Sequence, residues 1–271
     1  MRTVVFLGGG RITSAMLSGL CLGKTRDRLV VHDRNPGKLR DLKERFEIAV
    51  EADLGRALAQ ADVAMVAVRP SSVRDLLLQV AQAAGKTNRA LGRPALAVSL
   101  AAGVPLRILR RLAGPPVRWV RAMPSPACRS GRGLTAVTFP RTLPGADRKF
   151  VHDFFASFGQ VIEIRESKFD AFTVTFSCSH GYHALAARAR AGQEAGLDRK
   201  TALLASAHAL ADGIITWREG DDSLESLLEE AATPGGTAAA TMAAMDAAGY
   251  ERAVRRGVAA GVRRARANAG K

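Results

Sequence analysis

Residues 3–16 read Thr-Val-Val-Phe-Leu-Gly-Gly-Gly-Arg-Ile-Thr-Ser-Ala-Met. An apolar, β-branched run meets three glycines, and a helical pattern follows at once. A strand that ends on glycines and turns directly into a helix opens a dinucleotide-binding βαβ unit. Gly8 suits the tight turn. Gly10 has no Cβ, so a pyrophosphate can approach the backbone. A helix beginning near Ile12 would aim its unpaired N–H groups and its positive dipole end at that anion. Thr13 stands where the third glycine of G-x-G-x-x-G would fall. That position serves close helix–strand packing, which a small residue tolerates. An ordinary turn is the alternative reading of the same glycines.

The next apolar run, Arg28-Leu-Val-Val-His-Asp33, reads as a second strand with an acid at its end. An acid there is the usual partner of an NAD ribose, and the neighbouring Arg34 suits the 2′-phosphate of NADP. The two residues pull in opposite directions. NADPH is slightly favoured over NADH, and Arg34 as a solvated loop residue remains an alternative.

The chain has 271 residues, 47% of them apolar and 24% charged, enough for one large or two moderate domains. No apolar run approaches the roughly 20 residues that span a bilayer, and the short apolar start breaks at Gly8. Neither a membrane span nor a signal peptide is expected. Cys21, Cys128 and Cys178 are odd in number and lack metal-ligand spacing. They read as reduced thiols of a cytoplasmic protein, and no metal site is expected. The formal net charge is +15. It concentrates at the C-terminus in Arg252, Arg255, Arg256, Arg263, Arg264, Arg266 and Lys271. These residues lack interleaved aromatics and read as a solvated helix face, so nucleic acid is not an expected partner.

Strand patterns at 3–7, 28–32, 62–68, 95–100, 117–122, 134–139 and 160–164 alternate early on with helical ones at 11–22, 36–45, 53–60 and 71–84. This predicts an α/β, doubly wound, mostly parallel sheet. After residue 165 the pattern becomes Ala-rich and helical, at 167–195, 198–218, 222–231, 236–247 and 250–268. Two domains are expected, 1–165 for dinucleotide binding and 166–271 all-helical. The helical part would have a thin core of its own. Burying its apolar faces against a second copy predicts a homodimer or larger homo-oligomer.

Four segments together resemble pyrroline-5-carboxylate reductase, the NAD(P)H enzyme of the last step of proline biosynthesis. They are the opening turn through Met16 and Ala61-Asp-Val-Ala-Met-Val-Ala-Val-Arg-Pro70, then Val98-Ser-Leu-Ala-Ala-Gly-Val104 with Val120-Arg-Ala-Met-Pro124 and Gly131-Arg-Gly-Leu-Thr-Ala136, and finally Ala232-Thr-Pro-Gly-Gly-Thr237. The resemblance implies an N-terminal Rossmann domain and an all-α C-terminal dimerisation domain. The active site would lie between the nicotinamide and a neighbouring subunit's helical domain. It also implies that Gly8, Gly10, Arg11 and Ile12 contact the pyrophosphate and that Arg34 lies near the adenosine ribose. Val68, Arg69 and Pro70 would line the cofactor. Ala101, Ala102, Met123 and Pro124 would lie near the nicotinamide, with strand-end packing as their alternative role. Ser177 would fall in a helix close to the substrate.

The segment around Gly235, Gly236 and Thr237 carries chemistry of its own. Pro234 fits a turn or a first helical position, and the glycines leave N–H groups open before a helix, which suits a substrate carboxylate. An interhelical turn is the plain alternative. Three departures from the family pattern fall in the substrate half. Thr237-Ala238 replaces Thr-Thr, removing a hydroxyl placed to hydrogen-bond the substrate's ring nitrogen. Phe176-Ser-Cys-Ser-His-Gly-Tyr182 replaces Ser-Gly-Ser-Gly-Pro-Ala-Tyr. Ser125-Pro126-Ala127 replaces Asn-Thr-Pro. His180 and His183 bring a titratable group to this region and are candidate proton donors, or else packed or solvent-facing helix residues.

The expected function is reduction of a small cyclic imine carboxylate, pyrroline-5-carboxylate by default, with Thr237, His180 and His183 as catalytic candidates. A different imine or keto acid, or a dinucleotide-binding homologue with impaired catalysis, is the alternative.

Overall fold

The computed structural model of the chain describes residues 1–86 and 96–268. Packing divides it into two compact units. The first comprises Met1–Phe176 and the C-terminal stretch from Gly261, and the second is Ser177–Ala260.

The first unit is built on one sheet. Its strands are β1 (Thr3–Leu7), β2 (Arg28–His32), β3 (Ala49–Glu51), β4 (Val63–Val66), β5 (Leu96–Ser99), β6 (Arg118–Pro124), β7 (Gly133–Thr138) and β8 (Gly159–Glu163). The spatial order is β3-β2-β1-β4-β5-β6-β7-β8. Every neighbouring pair is parallel except β6 and β7. A 3-10 turn over Pro126–Ser130 joins those two strands. A connection that short cannot cross over, so the chain reverses and β7 runs antiparallel.

The central strands are apolar throughout because both faces are covered. Val4, Phe6, Val31, Met65 and Val98 face one side, with α1 (Arg11–Leu22), α2 (Pro36–Arg45) and α6 (Gly145–Ala156). Val5, Leu7, Val30, Val66 and Ala97 face the other, with α3 (Leu54–Ala59), α4 (Pro70–Lys86) and α5 (Leu106–Leu112). Strand β3, α5 and α6 go beyond the elements read from the sequence. Position 95, at the edge of an expected strand, lies outside the described residues.

The expected helix over 167–195 is two helices, α7 (Glu166–Thr175) and α8 (Cys178–Glu194), broken at Phe176–Ser177. Helix α7 packs on the first unit. Its Phe169 is fully buried, and its Glu166 and Asp170 both pair with Arg121 of β6. The first unit therefore continues past residue 165, where composition changes.

The second unit holds α8, α9 (Arg199–Glu219), α10 (Leu224–Ala231), α11 (Thr237–Ala247) and most of α12 (Tyr250–Ala267). Helices α8 and α9 form a hairpin through Gly196, at φ 102°. Small residues let them approach: Ala189, Ala202 and Ser206 are buried, and a Cβ on Gly192 would lie 3.3 Å from the Ala202 Cβ. Larger apolar side chains are left outside, among them Leu204 at 58% exposure and Trp217 at 46%. Among the described residues no helix is long and apolar enough to cross a membrane.

Candidate functional site

The strand order reverses between β1 and β4, which leave for opposite halves of the sheet. In an open α/β sheet a crevice forms outside the carboxyl ends of the strands at this switch point. Gly8 lies there at φ 118°, and a Cβ on it would come within 2.8 Å of the Ala67 carbonyl oxygen. Only glycine fits both the torsion and the space.

The turn is tied down on two sides. The Gly8 N–H donates to the His32 carbonyl at 2.8 Å, and the Gly9 N–H donates to Asp33 Oδ2 at 2.8 Å. The Thr13 hydroxyl donates back to the Gly8 carbonyl at 2.6 Å. Thr13 is fully buried, so the residue in the place of the third glycine braces the turn. Close packing of α1 falls instead at Gly19, against the 3-10 turn and Phe158, where a Cβ would strike the Cys128 carbonyl and Phe158. Burial pushes the Cys128 thiol up to about 11, as suits a packing residue.

Gly10 is the N-cap of α1 and supplies no side-chain cap. The first N–H groups of a helix have no partner within it, so here they face outward. A Cβ on Gly10 would meet nothing within 4 Å. Arg11 and Ile12 open the helix, with Arg11 exposed. This cradle fits an anion.

Asp33 ends β2. Its Oδ1 accepts from the Asn35 N–H at 2.9 Å, and Lys38 Nζ stands 3.6 Å from Oδ2. Burial alone would raise its carboxyl pKa. The Asn35 and Gly9 N–H groups, with Lys38, more than offset that and hold it below its ordinary value. Arg34 beside it is exposed.

Strand register carries the other candidates to the same edge. Leu7 pairs with Val66, Val66 with Ser99, and Ser99 with Arg121. The segments that follow therefore emerge side by side. They carry Gly8–Ile12, then Val68, Arg69 and Pro70, then Ala101 and Ala102, then Met123 and Pro124. From β2 to β6 this edge spans about 19 Å at the usual strand spacing. Arg69 is exposed and Pro70 begins α4, while Ala101 and Pro124 are buried and Met123 is half-buried.

The loop after β5 has supports the sequence did not reveal. Ser99 Oγ accepts from the Ala101 N–H at 3.4 Å, and Asn268 Nδ2 donates to the Ala102 carbonyl at 3.3 Å. Gly103, at φ 74°, is packed so that a Cβ would land on the Ala265 carbonyl.

The remaining candidates belong to the second unit. Ser177 is the N-cap of α8, with its hydroxyl 2.7 Å from that of Ser179. His180 and His183 follow in the first turns of α8, both exposed. Thr233-Pro234-Gly235-Gly236 forms a β-turn closed by the Gly236 N–H to the Thr233 carbonyl at 2.9 Å. Gly235 is at φ 78°, the geometry of a type II turn with proline before glycine. Gly236 caps α11 without a side chain, and Thr237 is its first residue, exposed.

A doubly wound sheet with an uncapped, glycine-lined helix start at its switch point, followed by a helical unit, defines a two-unit protein of the Rossmann dinucleotide-binding class. Comparison with known proteins narrows this. Residues 166–268 match the family described as pyrroline-5-carboxylate reductase dimerisation, and residues 3–88 match NADP oxidoreductase coenzyme F420-dependent. A pyrroline-5-carboxylate reductase of Thermus thermophilus is 33% identical over 271 residues, covering 96% of either chain. One from Corynebacterium melassecola is 26% identical and covers 92% of either chain. Among solved structures, the Streptococcus pyogenes enzyme aligns with a TM-score of 0.85 at 20% identity, covering 98% of both chains. The Plasmodium falciparum enzyme with NADP bound aligns at 0.84 and 19%, covering 99% of this chain and 98% of that one. The chain belongs to the pyrroline-5-carboxylate reductase family.

Proposed function

We propose that this protein is an NAD(P)H-dependent reductase of a small cyclic imine bearing a carboxylate, with pyrroline-5-carboxylate as the default substrate and proline as the product. The carrying observation is the open N-terminus of α1 behind Gly8 and Gly10, at the switch point of a sheet whose chain belongs to this family.

In this reading Gly8, Gly10, Arg11 and Ile12 hold the pyrophosphate, and Asp33 and Arg34 lie at the adenosine ribose. Val68, Arg69, Pro70, Ala101, Met123 and Pro124 line the rest of the cofactor toward the nicotinamide. When bound, the reduced nicotinamide supplies the hydride that turns C=N into C–N. Gly235, Gly236 and Thr237 bind the substrate carboxylate through N–H groups at the start of α11. Ser177 contacts the substrate from the start of α8. Thr237, His180 and His183 are the candidates to hold or deliver the proton on the imine nitrogen. An imine protonated before attack needs orientation more than a strong base, so a site built of backbone N–H groups and hydroxyls suffices.

The apolar side chains left outside the α8–α12 unit, Trp217, Ile214 and Leu228 among them, support assembly into a homodimer or a larger homo-oligomer. Three unpaired thiols, Cys21, Cys128 and Cys178, support a reducing cytoplasmic setting.

Ala238 favours a second reading. With the family's second threonine hydroxyl missing, the pocket serves a different imine or a keto acid, or catalysis is impaired. Oxidation of NADPH and NADH with a panel of cyclic imines and keto acids tests both readings. Turnover of pyrroline-5-carboxylate supports the first. Turnover of another substrate supports a rebuilt pocket. Cofactor binding without turnover supports impairment.

A further inference from the structure

Two consecutive groups at the end of β2 grip two consecutive N–H groups of the β1–α1 turn. The His32 carbonyl takes the Gly8 N–H and the Asp33 carboxylate takes the Gly9 N–H, both at 2.8 Å. Asp33 uses its other oxygen on the Asn35 N–H at 2.9 Å, and its side chain is 14% exposed. Both carboxylate oxygens are thus committed to backbone.

We propose that Asp33 is a positioning residue that sets the shape of the Gly8–Gly10 turn, and that it does not discriminate between the ribose hydroxyl of NADH and the 2′-phosphate of NADPH. The proposal rests on the dinucleotide-binding reading above. With Gly9 turned sideways toward β2, Gly10 and the first turn of α1 are left facing the crevice. Gly8 is held as well, since its carbonyl takes the Thr13 hydroxyl and a Cβ in its place would meet the Ala67 carbonyl oxygen. An acid that reads a ribose needs acceptor directions free for the sugar hydroxyls, and here two backbone N–H groups and Lys38 already draw on both oxygens, leaving fewer than an unengaged carboxylate offers. Nor does its charge stand alone against a phosphate, because Lys38 is 3.6 Å away and Arg34 is the next residue.

The test has an arm without cofactor and an arm with it. In the free protein, amide hydrogen exchange at Gly9, read by NMR, should be slow. It should accelerate about tenfold or more in Asp33→Ala, as loss of a hydrogen bond to a charged acceptor implies. Asp33→Asn, which keeps one acceptor oxygen for the two N–H donors, should give protection between that of the parent and that of Asp33→Ala. In titrations, Asp33→Ala should weaken NADH and NADPH by the same factor, about tenfold, leaving their affinity ratio within about twofold of the starting value. Gly9 exchange indifferent to Asp33→Ala would overturn the proposal. So would selective loss of NADH with NADPH binding kept or improved, the signature of a ribose reader. Should the unaltered protein bind neither cofactor, the reductase reading fails, and the Gly9 exchange still decides whether Asp33 anchors the turn. If Asp33→Ala does not fold, the same measurements on Asp33→Asn and Asp33→Ser decide the matter.

Discussion

The Arg121 guanidinium, on strand β6, lies 3.3 Å from Glu166 and 3.1 Å from Asp170, two acids one helical turn apart on α7. It also stands 4.3 Å over the Phe169 ring. Arg121 is 1% exposed. Glu166 additionally accepts the Leu106 N–H at 2.7 Å, which caps the start of α5. One arginine thus ties the sheet to α7 and, through Glu166, to the helix after the Ala101–Val104 loop. Removing it would leave two acids facing each other beside an apolar ring. Arg121→Met should cost about 3 kcal/mol, the lower part of the range for a broken buried pair, because both acids keep some access to water. Urea unfolding with an unchanged m-value would measure it. A loss under about 1 kcal/mol would show that the pair contributes little.

Two glycines should respond oppositely to substitution. Gly10 has ordinary negative φ and open space beyond its Cα, so Gly10→Val should leave the melting temperature nearly unchanged. It should weaken NAD(P)H binding at least about tenfold, near 1.4 kcal/mol, by filling the space the pyrophosphate needs. Gly103 combines φ 74° with backbone contact at Ala265. Gly103→Ala should lower stability by about 2 kcal/mol or more. Calorimetric titration and thermal unfolding of both variants separate the effects. A Gly10→Val protein that binds cofactor normally would remove the pyrophosphate from this turn.

The half of the site on the sheet is legible in the sequence because apolar strand, glycines and helix succeed one another without a break. Gly8, Asp33 and Pro124 each fall at a strand end, Pro70 opens the helix after β4, and parallel register brings these strand ends together. Strand β3 is hidden because it has three residues, all half-buried at the sheet edge, which is too short for alternation to register. Helix α5 is hidden by its length, since Leu106, Leu109 and Leu112 keep a helical spacing but seven residues, about two turns, are too few for the period to register. The helix break at Ser177 has neither glycine nor proline to mark it. Long-range supports such as Asn268 on Ala102 leave no local signal, because the two residues meet only through packing.

Asp33 should give stability a distinct acid dependence. Its carboxyl pKa is held below the ordinary value in the folded chain, through the Asn35 and Gly9 N–H groups and Lys38, against the opposing effect of burial. A group with a depressed folded pKa stabilises the fold above its unfolded pKa, near 3.9 for aspartate, and loses that contribution as pH falls through the folded value. Asp33→Asn should therefore cost about 1–2 kcal/mol near pH 7. The gap between variant and parent should close as pH drops below about 4. Parallel unfolding curves across that range would check it. A gap that widened in acid would mean the carboxylate is not stabilised by these contacts.

Assembly should depend on the apolar side chains that the α8–α12 unit leaves outside. Ile214, Trp217 and Leu228 are about half exposed. Charged replacements at all three, for instance glutamates, should shift the particle toward monomer in light scattering at micromolar concentration while leaving helix content intact. Each large side chain withdrawn from water contributes roughly 1.5–3 kcal/mol, so three such losses should be decisive. An unaltered protein that is already monomeric would overturn this assembly reading.

Ala238 carries the sharpest question about activity. It follows Thr237 at the start of α11, where the resemblance to the family implies a second threonine hydroxyl for the ring nitrogen of the imine. One absent hydrogen bond to a reacting group is worth roughly 1–3 kcal/mol, about 5- to 150-fold in rate. Turnover of pyrroline-5-carboxylate by the unaltered protein should accordingly be weak, and Ala238→Thr should raise it within that range. Because Ala238 is exposed in the first turn of the helix, the added side chain has room and the variant should fold normally. If Ala238→Thr changes nothing while the unaltered protein reduces another imine briskly, the pocket has been rebuilt around its other departures, His180 and His183 among them. The pH profile of that reaction's rate between pH 5 and 8 should then depend on one of the two histidines. His180→Ala or His183→Ala would flatten the profile if that histidine delivers the proton. An unchanged profile in both variants would return the pair to solvent-facing residues of α8.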